Sequence, residues 1–153
     1  MTITSILNYG KVHQPYPARV SKNDYGKCLI ASRDVGRGEI VGKFEGPILT
    51  SYSLVPEEEV CYVLVIGDDK YMIVESDARF INHGCDPNCE IDEDYYVVTL
   101  RPVKRGEEFT IRYNEITREC EGVQYFWDPR WSFKCRCGSP KCIGNIDKYV
   151  VYQ

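Results

Sequence analysis

The stretch Ala78-Arg79-Phe80-Ile81-Asn82-His83-Gly84-Cys85-Asp86-Pro87-Asn88-Cys89 constrains this chain more than any other. Turn-forming and metal-capable residues follow directly on an apolar pair, which suits neither a plain core strand nor a plain surface loop. Its counterpart lies near the C-terminus: Cys135-Arg136-Cys137-Gly138-Ser139-Pro140-Lys141-Cys142. Three thiols so close together, with Gly138-Ser139-Pro140 bending the chain, can face one tetrahedral ion at about 2.3 Å per bond. A closed structural site takes four ligands, so one comes from elsewhere: Cys85, Cys89, Cys120, Cys28, Cys61 or, least favoured, His83. Three unrelated buried thiols acting as small hydrophobes are the bland alternative.

Length and composition bound the rest. At 153 residues, with 43% hydrophobic and 27% charged residues, the chain makes one ordinary domain with a real core. The first residues, Met1 to Leu7, lack a charged leader and a long apolar run, so no signal peptide is expected. Eight cysteines therefore point to metal ligation in a reducing, intracellular setting rather than to disulfides. No run reaches the ~18 apolar residues of a membrane span. The net charge of −4, bunched at Glu57-Glu58-Glu59 and over residues 90–94, argues against general nucleic-acid binding. It suits a cationic partner such as a lysine-rich peptide, although a solvated acidic face looks the same. Twelve tyrosines favour an apolar wall with polar tips.

The periodicity predicts a mostly β chain of short strands with little helix. Strands are expected over residues 27–32, 40–44, 60–66, 71–74, 95–100 and 109–113, the run 60–66 being too short and too β-branched for a typical helix. Turns are expected at 34–39, Gly46-Pro47, Gly67-Asp68-Asp69-Lys70, 92–94 and Arg105-Gly106. Short helical turns are expected over 53–59 and 115–119, and an irregular arm over 1–17. No phosphate-binding glycine loop follows a strand, so no dinucleotide fold is indicated.

The 78–89 stretch resembles the signature of SET-domain protein-lysine methyltransferases, usually written R-F-I-N-H-S-C-x-P-N. Gly106-Glu107-Glu108-Phe109-Thr110-Ile111-Arg112-Tyr113 resembles their second signature, G-E-E-L-T-x-D-Y, and Cys135 to Cys142 with Gly144 resembles the post-SET motif C-x-C-x4-C-x-G. Upstream, residues 24–30, Lys43-Phe44-Glu45-Gly46 and Cys61-Tyr62-Val63 fall where the family has its opening strand, E-Y-x-G and C-Y-x. The resemblance runs from about residue 18 to 147. It implies small twisted sheets with a C-terminal pseudoknot, divided into an arm (1–17), a SET domain (18–117) and a zinc-bound post-SET region (118–153). It implies S-adenosylmethionine as donor, a structural zinc, a histone tail or similar basic peptide as partner, and a nuclear, chromatin-associated location.

The resemblance also assigns roles. Tyr113 is the catalytic residue, with its hydroxyl beside the transferred methyl; orientation and electrostatics fit a phenol better than base catalysis. Tyr25 and Lys27 take the donor's amino-acid end, Asn82 and His83 its adenine and amino groups, and Arg136 and Ile146 cover the adenine. Tyr62, Cys28, Arg79, Phe80 and Tyr113 complete the cofactor-facing set. Phe44, Tyr62, Ile111 and Tyr113 line the substrate channel, and Cys85 joins Cys135, Cys137 and Cys142 on zinc. Such a channel is useful because a free lysine is about 0.1% neutral at physiological pH, a cost near 4 kcal/mol; stripping its water lowers that pKa, and alignment adds more.

The departures are specific. Gly84 replaces the usual Ser, Cys28 a Gly, Lys43-Phe44 Glu-Tyr, and Arg112 the Asp before the catalytic Tyr. Ile111, lacking a hydroxyl, leaves room for more than one methyl. Rival readings are a zinc-stabilised scaffold that need not bind the donor, and a methyltransferase acting on non-histone proteins or small molecules. A nucleophilic pair of His83 with Cys85 or Cys89 is a further rival; residues two apart share a side only in a strand, and no third group to orient them is evident.

Overall fold

The computed structural model describes residues 16–123 and 125–152. The arm expected over 1–17 therefore lies almost wholly outside the described residues. Among those described, the chain forms twelve short strands and five 3-10 helices, with no α-helix and no helix long and apolar enough to cross a membrane.

Strands β1 (Ala18–Asn23) and β2 (Gly26–Ala31) form an antiparallel hairpin with Asn23 opposite Gly26. The Tyr25 N–H donates to Asn23 Oδ1 at 2.8 Å, and Gly26 takes φ +126°, which side-chain-bearing residues rarely adopt. β1 is not among the strands expected from sequence; half exposed and carrying Arg, Ser and Lys, it has no apolar run to mark it.

Strands β3 (Ile40–Lys43), β4 (Ile48–Leu49), β5 (Val63–Gly67) and β6 (Lys70–Ile73) follow. β4, β6 and β5 form one antiparallel sheet in that order. The turn between β5 and β6 falls where Asp68-Asp69 predicts it. The strand expected over 60–66 does not hold as such: Glu57–Tyr62 is a 3-10 helix and β5 starts at Val63. Pro56 opens that helix, three glutamates fill its first turn, where the helix dipole favours them, and Trp131 Nε1–H donates to the Val60 carbonyl at 3.0 Å. Tertiary contact overrides β-propensity here.

The remaining strands are β7 (Asn82–His83), β8 (Cys89–Ile91), β9 (Tyr96–Thr99), β10 (Thr110–Ile111), β11 (Phe133–Lys134) and β12 (Asn145–Ile146). β3, β9 and β8 form a second antiparallel sheet in that order, and β11 pairs with β12. β9 begins one residue later than expected because Tyr95 takes φ 68° to close the turn that Asp92 organises through its side chain.

One apolar cluster holds the sheets together. It includes Leu29, Val41, Phe44, Val74, Ile81, Val97, Phe109 and Ile111. Phe109, with no exposed surface, gains roughly 1.5–3 kcal/mol from burial. At Gly46 a Cβ would come within 1.7 Å of the Ile73 carbonyl oxygen, so only glycine lets these segments pass so closely.

Candidate functional site

The two signature segments meet on top of this core. β7 and β10 run parallel, with Asn82 opposite Thr110 and His83 opposite Ile111. So short a ladder is weak alone, and side chains extend it. The Asn88 amide, buried between the strands, donates to the Glu108 carbonyl at 2.8 Å and accepts from the Thr110 N–H at 2.9 Å. It completes the main-chain bonding of β10 as a neighbouring strand would. Gly84 N–H donates to the Ile111 carbonyl at 2.9 Å, and a Cβ on Gly84 would meet Thr110 at 3.1 Å. Glycine here admits the close approach of β10.

Tyr113 follows directly. Its N–H donates to His83 Nδ1 at 2.9 Å, and its hydroxyl donates to the Ile81 carbonyl. Burial, then Glu108 and Tyr62, push the phenol well above its ordinary range, so it stays protonated. The ring borders a cavity of about 630 Å³ whose lining includes Phe44, Tyr62, Ile111 and Tyr113, the four residues named as a substrate channel. Arg79, Arg112, Trp131 and Tyr149 also line it. Arg112, where the family pattern has Asp, stacks 4.8 Å from the Tyr152 ring and pairs with Glu115 at 3.4 Å.

The cofactor-facing set falls in two groups, of which only Tyr62, Arg79 and Tyr113 line that cavity. Lys27 Nζ sits 4.8 Å over the Phe80 ring, and the Arg79 guanidinium lies 4.6 Å from Phe80 and 5.2 Å from Tyr62. Arg79 Nε is buried without a partner. Asn82 Nδ2 donates to the Lys27 carbonyl at 3.2 Å and to Glu108 at 3.1 Å. The second group joins the first hairpin to the C-terminal region, with the Arg136 guanidinium 5.3 Å from the exposed Tyr25 ring. Cations beside aromatic faces fit a donor that carries a carboxylate and an adenine. Cys28 and Ile146 are buried, and their side chains reach no open surface.

The thiol group is compact. The sulfurs of Cys85, Cys135, Cys137 and Cys142 all lie within 4.8 Å of one another, with Cys85 and Cys135 at 3.7 Å. Bonds of about 2.3 Å to a tetrahedral ion place sulfurs about 3.8 Å apart, so the set fits one zinc. Of the other candidates for fourth ligand, Cys28, Cys61, Cys89, Cys120 and His83 stand outside this group. Burial raises the Cys85 and Cys135 thiols; at Cys137 burial is outweighed by hydrogen bonds from the Cys85 and Ser139 backbone together with those of the Cys135 and Cys142 thiols, and the net shift is downward.

His83 and Cys85 do face one another, Nε2 to Sγ at 3.2 Å, although only His83 lies in β7 and Cys85 sits in the bend that follows. Burial, helped by Arg112, lowers the imidazole to about 4. Cys85 belongs to the four-thiol group, which leaves no separate nucleophile–base pair.

Sequence reading missed several site residues. Glu108 accepts from Asn82 at 3.1 Å and from Asn23 at 2.7 Å. It and Asn88 stand inside the quoted signatures, where their polarity beside apolar neighbours was a readable signal. Phe133, Tyr149 and Tyr152 carried none.

A family model described as SET domain matches residues 26–114. The chain is similar to "Histone-lysine N-methyltransferase, H3 lysine-36 specific" of Mus musculus and of Homo sapiens, 28% identical over 139 residues, covering 79% of this chain and 5% of each relative. It is similar to "Histone-lysine N-methyltransferase 2B" of Homo sapiens, 26% identical over 137 residues, covering 77% and 5%. An H3 lysine-36 specific relative from Candida albicans is 26% identical over 136 residues, covering 77% of this chain and 15% of that one. The chain thus spans a small part of the length of the curated relatives it matches.

Proposed function

The chain belongs to the SET domain family, and from that premise we propose that it transfers methyl groups from S-adenosylmethionine to a lysine side chain of a protein, with histone tails the foremost substrate. The observation that carries this reading is the Tyr113 phenol, proton held by the Ile81 carbonyl, at the wall of a cavity bordered by Phe44, Tyr62 and Ile111. When bound, the donor supplies an electrophilic methyl on a sulfonium.

Tyr25 and Lys27 would take the donor's amino-acid end, Arg79 and Phe80 would stand beside them, Arg136 would cover the adenine, and Asn82 and His83 would meet its polar edge; Ile146, fully buried, would support that wall from behind. Tyr62 would wall both donor and channel, and Cys28 would contribute its backbone. The incoming lysine would enter between Phe44, Tyr62, Ile111 and Tyr113; partial loss of its water lowers its pKa, so that its proton passes to solvent at the channel mouth. Tyr113 would orient the reacting atoms through a hydroxyl that burial keeps neutral. Ile111, without a hydroxyl to anchor an amine, leaves the product free to be methylated again. Cys85, Cys135, Cys137 and Cys142 would hold zinc, which supplies no step of transfer and fastens the tail to β7.

In this reading residues 18–117 are the catalytic unit and 118–153 its closing segment. Relatives with histone-lysine names, together with the chain's net negative charge, support a histone partner and a nuclear location. Labelled donor incubated with core histones tests the proposal: methyl should appear on lysine, and Tyr113→Phe should slow its appearance at least about 100-fold. Label reaching no protein, with Tyr113→Phe indistinguishable from the parent, would remove the proposal.

A further inference from the structure

We infer that His83 is a positioning residue whose imidazole links the four-thiol cluster to the backbone of Tyr113, so that a bound metal sets where the catalytic tyrosine stands. The inference rests on the proposed methyltransferase reading for its consequence in catalysis; the link itself stands on geometry alone.

Both ring nitrogens are committed. Nδ1 lies 2.9 Å from the Tyr113 backbone nitrogen, which has a hydrogen to donate and no lone pair to offer. Nδ1 must therefore be bare, and the neutral ring carries its hydrogen on Nε2. Nε2 lies 3.2 Å from Cys85 Sγ, so that hydrogen points at a sulfur of the cluster. The resulting chain runs from Tyr113 N–H through the imidazole to Cys85, then to Cys135, 3.7 Å further on.

The ring has little freedom to leave this pose. Tyr113, Phe133 and Tyr152 surround it at centroid distances of 5.6, 5.6 and 5.9 Å. Tyr152 also donates its hydroxyl to the Tyr113 carbonyl at 3.1 Å. Tyr113 is thus gripped at its N–H by a residue bonded to the cluster, and at its C=O by a residue of the tail beyond it. A metal makes Cys85 an anchored thiolate, a stronger and fixed acceptor for Nε2–H. Without a metal the sulfur can rotate, and the imidazole loses the contact that sets its orientation.

The test uses the whole chain loaded with cadmium-113 in place of zinc. A scalar coupling from the metal to the His83 Hε2 hydrogen, with nitrogen shifts marking a bare Nδ1, is the expected result. Couplings to the cysteine β-hydrogens without one to Hε2 would overturn the link, because they show the metal bound and His83 apart from it.

Two variants separate the arms. The shorter amide of His83→Asn can still accept from Tyr113 N–H but cannot reach Cys85, whereas His83→Gln reaches Cys85 but leaves the Tyr113 N–H. The first should release metal about tenfold faster, and the second should speed Tyr113 amide exchange about tenfold. In both, kcat should fall more than peptide KM rises. Metal release and amide exchange changing in equal proportion in both variants would mean that His83 only fills space, and would overturn the inference. If the cadmium–hydrogen coupling is found but no methyl transfer is, the functional reading fails and the link remains.

Discussion

The β7–β10 junction and the stretch from 126 to 152 border the same cavity, yet different forces hold them. The junction lies on the apolar core: Ile81 and Ile111 are buried, Phe109 is sealed, and Asn88 fills the bonding positions that a short ladder leaves open. In the C-terminal stretch only Asp128, Cys135 and Ile146 are buried among the described residues. That stretch is fastened by four thiols, by ring contacts such as Tyr52–Phe126 at 4.6 Å, and by the Asp128 carboxylate between Tyr52 and Arg130. The lesson is that one wall of the site is stabilised by hydrophobic burial, and the other by ring contacts and a four-thiol cluster whose spacing fits a metal ion. Tyr113 stands between them.

Stripping the metal with a chelator should break the comparison most severely. Structural zinc contributes on the order of 10 kcal/mol to small zinc-dependent units. Amide exchange should then show residues 133–152 losing protection while Val97, Phe109 and Ile111 keep theirs. Equal loss in both regions would mean that the core, too, depends on the cluster.

Asn88→Ala should do the reverse at smaller cost. It leaves the Thr110 N–H and the Glu108 carbonyl without partners, at about 1–3 kcal/mol per buried group. Thermal melting should shift downward while metal stoichiometry holds at one per chain. A variant that melts like the parent would show that water replaces the amide.

The smallest effect is expected at Asp128. The Arg130 guanidinium first, and the Tyr52 hydroxyl with it, hold this carboxyl well below the usual range. A depressed folded pKa stabilises above the unfolded value near 3.9 and loses its contribution as pH falls through the folded one. Arg130 is half exposed, so screening limits the contribution to about 1 kcal/mol. Fluorescence of the neighbouring Trp131 should report loosening below about pH 4, and Asp128→Asn should flatten that response.

Much of this was legible in the chain. The Asp68-Asp69 turn, the short strands around it and the two signature segments follow from local composition, and the three clustered thiols announced a metal. The strand proposed at 60–66 failed at Val60-Cys61-Tyr62 because the deciding contact, Trp131 on the Val60 carbonyl, comes from 71 residues away. β1 escaped notice because alternation with charged residues leaves a weak pattern. Glu108 and Asn88 were in view, but their partners were not.

Local sequence by itself determined where this chain turns, which residues carry chemistry, and that a fourth ligand had to be found; backbone preference and ligand chemistry act over a few residues. Only the tertiary structure decided that Cys85 faces that cluster, that His83 spans from it to Tyr113, that Tyr149 lines the cavity and that Tyr152 holds the Tyr113 carbonyl. Those encounters join positions 30 to 50 apart in sequence for His83–Tyr113, Tyr113–Tyr152 and Cys85–Cys135. No periodicity records them, because they are set by how the sheets pack over one core.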